Sequence, residues 1–194
     1  MDLVLASTSA IRKKILTEAG VSFRSLVGDG PEPDPRPREG AEDYVVRCAE
    51  AKARACWAKH GGELGSAVVL GGDQVVRFRG QILRKVSTPA DAIDRLMAFQ
   101  TSPHELVNGL VLLVDGEVAL RHTGQVTLGV RRLSRSQIER YVQREQPLAS
   151  VACYFLEGEG IKLIDRFDGD YHAALGLNVR LVVDFLLERG VELF

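Results

Sequence analysis

Apolar and polar positions follow two rhythms along the chain, and each switch between them marks an element. Leu3 to Ala6 is a short unbroken apolar run, as in a buried strand. After Ser7-Thr8-Ser9 the apolar positions move to Ile11, Ile15, Leu16 and Ala19, a helical face that Gly20 closes. Residues 28–40, GDGPEPDPRPREG, hold four prolines and three glycines and predict a long loop. Such length in a loop is commonly functional or disordered. The spacing then predicts a helix over about 41–60, with Val45, Cys48, Ala49, Ala53 and Cys56 on one face. Lys52 falls inside that apolar stripe. Ala67 to Leu70 is a second buried-strand run, ending in Gly71-Gly72-Asp73, and Val75 to Leu83 reads as a hairpin turning at Arg79-Gly80. Thr88-Pro89 starts a helix with Ile93, Leu96 and Met97 on its buried side.

Two long strands, 106–114 and 118–130, meet at Asp115-Gly116, a hairpin turn pair. Ser134 with Gln137 forms a capping box for a helix to about Arg144. Strands near 150–156 and 160–167, a turn at Asp168-Gly169 and a last helix bearing Val179, Val182, Val183, Leu186 and Leu187 complete the pattern. Strands and helices interleave, yet hairpins are present. The expected fold is therefore α/β, a mixed, twisted sheet flanked by helices, in one domain over 1–194.

Composition narrows the function. Twenty-five basic side chains against 26 acidic ones leave a net charge of −1, which disfavours sequence-independent nucleic-acid binding. Cys48, Cys56 and Cys153 show no CxxC spacing, so neither a disulfide framework nor a zinc site is expected. No run approaches the ~20 apolar residues of a membrane span, and the start of the chain lacks a signal-peptide pattern. A cytoplasmic enzyme-sized protein is expected, with no membrane or nucleic-acid partner.

Several positions could carry chemistry. Ser7 to Lys14, STSAIRKK, sets hydroxyls and cations where a strand feeds a helix, which suits a phosphate; Ser9 equally suits an ordinary N-cap. Asp73 follows two glycines at a strand end, and is as well suited to a turn as to a ligand. A lysine on an apolar helical face, as at Lys52, either snorkels or meets an anion. Lys85 alone reads as a surface residue, Glu32 alone is uninformative, and Glu157, in Glu157-Gly158-Glu159-Gly160, could approach a ligand or simply form a turn. His60, His104, His122 and His172 lack metal-ligand spacing. Cations and isolated carboxylates beside strand ends and glycines together suit a polyanion held with a divalent metal.

Four stretches resemble the Maf nucleotide pyrophosphatases, over about residues 3 to 190. LVLASTSAIRKKIL is similar to the family's opening, hydrophobic-LAS-x-S-P-R-R-x-x-L-L, and VRCAEAKA to its R-[LV]-A-x-x-K-A helix. GGDQVVRFRGQILRK is similar to G-[AS]-D-[TQ]-V followed by G-x-[IT]-x-G-K-P, and IERYVQREQPL with FLEGEGIKLIDRFDG to the carboxyl-terminal third. The resemblance implies hydrolysis of a nucleoside triphosphate to a monophosphate and pyrophosphate, on the fold shared with inosine-triphosphate pyrophosphatases. It also implies a divalent metal (Mg²⁺, Mn²⁺ or Co²⁺) and a homodimer. Position by position, it assigns Ser7, Arg12, Lys52 and Lys85 to the substrate phosphates, Asp73 to catalysis, and Glu32 with Asp73 to the metal. GGDQV, Thr8 and Glu157 resemble the branch acting on 7-methyl-GTP, whose positively charged base an acid at Glu157 would suit. The alternatives are a dTTP or UTP pyrophosphatase, or a non-catalytic nucleotide-binding protein. The chain departs from the pattern at Ala10 and Ile11, at Arg84 and Val86 around Lys85, at Ala152, and at Asn178 where Gly-Leu-Pro is usual.

Overall fold

A computed structural model describes residues 2–30 and 33–193. The element order is β1(Leu3–Leu5), α1(Ala10–Glu18), β2(Phe23–Ser25), α2(Ala41–Leu64), β3(Val68–Phe78), β4(Gln81–Leu83), α3(Pro89–Phe99), β5(His104–Val114), β6(Glu117–Val130), α4(Arg135–Glu145), β7(Ile164–Asp168), α5(Tyr171–Ala174) and α6(Val179–Leu187). Short 3-10 turns at Pro147–Ala149 and Glu159–Leu163 separate α4 from β7. The strands form one sheet in the order β2-β1-β3-β5-β6-β7, with β4 paired to β3. β1 is parallel to β2 and β3, whereas β4 and β7 pair antiparallel with β3 and β6, so the sheet is mixed as expected.

Two compact units divide the chain. The first comprises Met1–Asp73, Asn108–Gly124 and Leu175–Phe194. Strand alternation sorts its core onto two faces. Leu3, Leu5, Val68, Leu70, Leu110 and Leu112 pack with Ile15 and Leu16 of α1 and with Val182, Phe185 and Leu186 of α6. Val4, Ala6, Val69, Val111 and Leu113 face Ala49, Ala53 and Cys56 of α2. The second unit comprises Gln74–Val107 and Gln125–Ala174, where α3 packs on α4.

Local signals placed most ends correctly. Thr88 caps α3 with Pro89 in its first turn, and the Ser134–Gln137 capping box is formed in both directions. Asp115-Gly116 turns with φ of 51° and 79°, and Arg79-Gly80 with 50° and 77°, the left-handed pairs of tight hairpins. Four expectations are corrected. α2 runs past His60 to Leu64, because Gly61 keeps helical geometry under the Trp57 ring and the chain leaves the helix only at Gly65, φ 55°. β3 does not stop at Leu70 but continues through Gly71, Gly72 and Asp73 to Phe78, pairing with β1 over 68–70 and with β4 over 76–78, with β5 as its neighbour on the other side. Residues 150–156 are buried but not a strand: Cys153 takes φ 59°, and the Phe155 N–H donates to the Tyr141 hydroxyl. Residues 159–163 form a 3-10 turn, with only 164–168 extended. β2 is a short addition whose pattern gave no signal.

Candidate active site

Ser7 ends the buried run that β1 begins, and α1 starts three residues later. Ser9 is an N-cap, its Oγ accepting from the Arg12 N–H at 3.4 Å, so the capping reading of Ser9 is right. The Ser7 hydroxyl does more. It accepts from the Ser9 N–H at 3.2 Å and from Arg12 Nη1 at 3.3 Å, which leaves its own hydrogen to donate. Ser25 at the end of β2 donates to the Ser7 carbonyl at 3.0 Å and holds the turn in place.

Of the three cations that follow, the structure turns one inward. Arg12 is only 9% exposed, and its Nε donates to the Gly176 carbonyl at 2.9 Å. Lys14 is exposed and lies 3.8 Å from Glu18. Arg12 can lie over β3 because Gly72 offers no side chain: a Cβ there would stand 3.2 Å from Arg12 Nε.

Gly71 faces the other way. A Cβ on it would overlap the Ala49 carbonyl, so its absence lets α2 close directly on β3. One helical turn after Ala49 comes Lys52, and two residues after Gly71, on the same strand face, comes Asp73. Lys52 Nζ donates to Asp73 Oδ1 in a close ion pair. Asp73 is 5% exposed and stands within the strand, so it is not a turn residue.

The structure thus brings Ser7 to Arg12 and Lys52 to Asp73, in the first unit. Gly72 and Asp73, consecutive on β3, carry the two pairs on opposite strand faces. Lys85 is exposed just after β4, and Glu157 is exposed in the turn after Leu156; both belong to the second unit. Glu32 lies outside the described residues.

Among the described residues no three His, Cys, Asp or Glu side chains gather as a metal cage. Asp73 offers one carboxylate, and its Oδ1 already accepts from Lys52, so a divalent ion there would need a second carboxylate, substrate phosphate oxygens or water to complete its ligands. A cavity of about 540 Å³ elsewhere in the first unit is lined by Glu42, Asp43, Val46, Arg47, Glu50 and Thr123. Three acids against one arginine suit an anionic substrate poorly, and it holds none of the candidate residues.

Two residues gain a role that sequence alone did not show. Gln74 spends its amide on the carbonyls of Ala173 and Ala174, at 3.2 and 3.1 Å, and so closes the end of α5. Asn178 caps α6, its side chain accepting from the Leu181 N–H at 3.5 Å, which accounts for an asparagine where the usual pattern has proline. Its place just ahead of an apolar helical stripe was a usable signal. Ala152 is buried, and nothing in the structure accounts for it as the replacement of glycine.

The family model described as Maf-like protein matches residues 2–189. A protein of Ruegeria pomeroyi named nucleoside triphosphate pyrophosphatase is 37% identical, covering 98% of each chain. Proteins named 7-methyl-GTP pyrophosphatase are 33% identical in Rhizobium etli, covering 97% of this chain and 96% of that one, and 35% identical in Pseudomonas aeruginosa, covering 99% and 98%. A solved dITP/XTP pyrophosphatase from Mycobacterium abscessus is 18% identical over 69% of this chain and 74% of its own, with a TM-score of 0.35.

Proposed function

The chain belongs to the Maf-like family, and from that premise we propose that it hydrolyses nucleoside triphosphates to a monophosphate and pyrophosphate, with Asp73 at the chemical centre. The observation that carries this reading is the ion pair of Lys52 with the buried Asp73, while Gly72, the residue before it on β3, makes room for Arg12 and its bond to Ser7. Relatives of near-full coverage are named for this reaction.

The chemistry follows from the side chains. Asp73 accepts a hydrogen bond from a water and takes its proton as the water oxygen bonds to the α-phosphorus. The bond from that phosphorus to the bridging oxygen breaks, and pyrophosphate leaves with the electron pair. Arg12 and Lys52 offset the charge that builds on the phosphoryl oxygens, while the Ser7 hydroxyl donates to one of them. A divalent ion (Mg²⁺, Mn²⁺ or Co²⁺), held by Asp73 with substrate oxygens and with Glu32 as the second carboxylate, would supply charge neutralisation on the triphosphate. Lys85 as a phosphate contact and Glu157 as a contact to the base are proposed from the resemblance alone.

Within this reaction the favoured substrate is a base-methylated triphosphate of the 7-methyl-GTP kind. Its ring is positively charged, and Glu157 is an exposed carboxylate available to meet such a base. Some of the relatives carry that name.

The test is pyrophosphate release from a panel of common and methylated triphosphates, each with Mg²⁺, Mn²⁺ or Co²⁺ and again with EDTA. Turnover should need the metal and fall by about 10²–10³ in Asp73→Asn, with the melting curve of a folded protein. Near-normal turnover in Asp73→Asn removes Asp73 from the centre. Nucleotide-dependent thermal stabilisation without any pyrophosphate would instead mark a non-catalytic binder, and preference for dTTP or UTP would reassign the substrate.

A further inference from the structure

The signal that singled out Lys52, a cation inside an apolar helical stripe, recurs on α3. Ala92, Leu96 and Phe99 are buried at i, i+4 and i+7, and Arg95 falls at i+3 among them, half-buried. Its guanidinium finds two main-chain acceptors far apart in sequence. Arg95 Nη1 donates to the Arg84 carbonyl at 2.6 Å and to the Val151 carbonyl at 2.7 Å. It also stands close enough to the Cys153 thiol to oppose the upward push that burial gives that group.

Both acceptors lie in irregular chain. Arg84 is in the connection from β4 to α3, one peptide before Lys85. Val151 opens the buried segment that leads to Glu157 and is neither helix nor strand. Sheet and helix hydrogen bonding does not fix the relative placement of two such segments. A planar, charged donor between their carbonyls does, because each bond is charge-assisted and directional. All of these residues lie in the second unit.

We propose that Arg95 is a positioning residue for substrate binding: it ties the segment bearing Lys85 to the segment leading to Glu157, and so sets the spacing between a phosphate contact and a base contact. The inference rests on the reading of Lys85 and Glu157 given above. Beside Lys85, where the family pattern has glycine and proline, this chain's backbone is held from α3 through the Arg84 carbonyl.

Steady-state kinetics on the panel's best triphosphate test it, with melting temperatures alongside. Arg95→Ala should raise KM about tenfold or more while kcat changes little, since binding rather than the chemical step is disturbed. Arg95→Lys, which keeps the charge without the planar fork, should recover part of the loss. In a double-mutant cycle, Arg95→Ala should cost much less in the Lys85→Ala background than in the wild type, because the lysine it positions is gone. The ratio of 7-methyl-GTP to GTP turnover should also shift towards unity. Should Arg95→Ala fail to fold, Arg95→Gln serves in its place. A lowered melting temperature with unchanged KM, or effects at Arg95 and Lys85 that simply multiply, overturns the proposal while leaving Lys85 at the substrate. Full activity of Lys85→Ala overturns the reading of Lys85 itself, and the proposal with it.

Discussion

His104 sits in the second unit with no exposure at all, stacked on Phe99 at 4.0 Å between centroids and 10° between planes. Its Nε2 shares a 2.6 Å hydrogen bond with the Tyr154 hydroxyl, and its Nδ1 has no partner among the described residues. Burial pushes the imidazole from 6.5 down to about 3, because nothing beside it offsets a charge. An unfolded chain therefore binds a proton at this histidine through a range of pH in which the folded chain refuses it. The contribution to stability is complete above about pH 6.5 and is lost as pH falls towards 3. Between about pH 7.5 and about pH 5 the loss from this one group comes to about 2 kcal/mol. The perturbation that isolates it is His104→Phe with Tyr154→Phe, which keeps a ring against Phe99 and removes both polar ends of the buried pair. Urea unfolding of both proteins at the two pH values is the assay. The wild type should lose about 2 kcal/mol more than the variant on acidification, since every other group that titrates between the two pH values is common to both, burial having pushed the Tyr154 hydroxyl further above that range. Equal losses would show that His104 is protonated in the folded state, or is hydrated, and the reasoning from burial would fail.

Two further outcomes follow from single residues. Gly71→Ala should destabilise by about 1–3 kcal/mol and cut pyrophosphate release, because the new methyl displaces α2 and carries Lys52 away from Asp73. Gly62→Ala on the same helix meets open space and should stabilise by about 0.5–1 kcal/mol; the same loss at both sites would contradict the close-approach argument. The Arg47 guanidinium holds Glu39 down at about 2, well below its ordinary 4.5, and also donates to the Asp34 carbonyl at 2.9 Å. A depressed carboxylate stabilises above its unfolded value, so this clamp is at full strength near pH 7 and weakens only as pH falls from 4.5 towards 2. Glu39→Gln should speed trypsin cleavage after Arg38 at neutral pH, read by mass spectrometry; an unchanged rate would mean the loop is ordered by other contacts.

What could be read along the chain was whatever depends on neighbours a few residues away. Thr88 before Pro89, Ser134 before Gln137 and Asp115-Gly116 each satisfy their own backbone locally, and each stands where it was expected. Lys52 was legible for the same reason, since its misplacement on an apolar stripe is a property of one helix. On α3 the stripe around Arg95 emerged only in the structure, which buries Ala92, Leu96 and Phe99 where the pattern pointed to Ile93, Leu96 and Met97. The strand through Gly71-Gly72-Asp73 was not legible, because two glycines weaken an isolated strand, whereas β3 is anchored before them by β1 and after them by β4. Residues 150–156 failed for the opposite reason: burial alone makes an apolar run look like a strand, whatever its hydrogen bonds. The partners that define the site lie further off still. Arg12 meets Gly176 across 164 residues, and Arg95 joins carbonyls that no periodicity relates. The types of chemistry and the ends of the elements were thus written in local order. Which cation meets which carboxylate depends on where Gly71 lets a helix approach and Gly72 lets a guanidinium lie, because long-range pairing is fixed by packing once the chain has closed on itself.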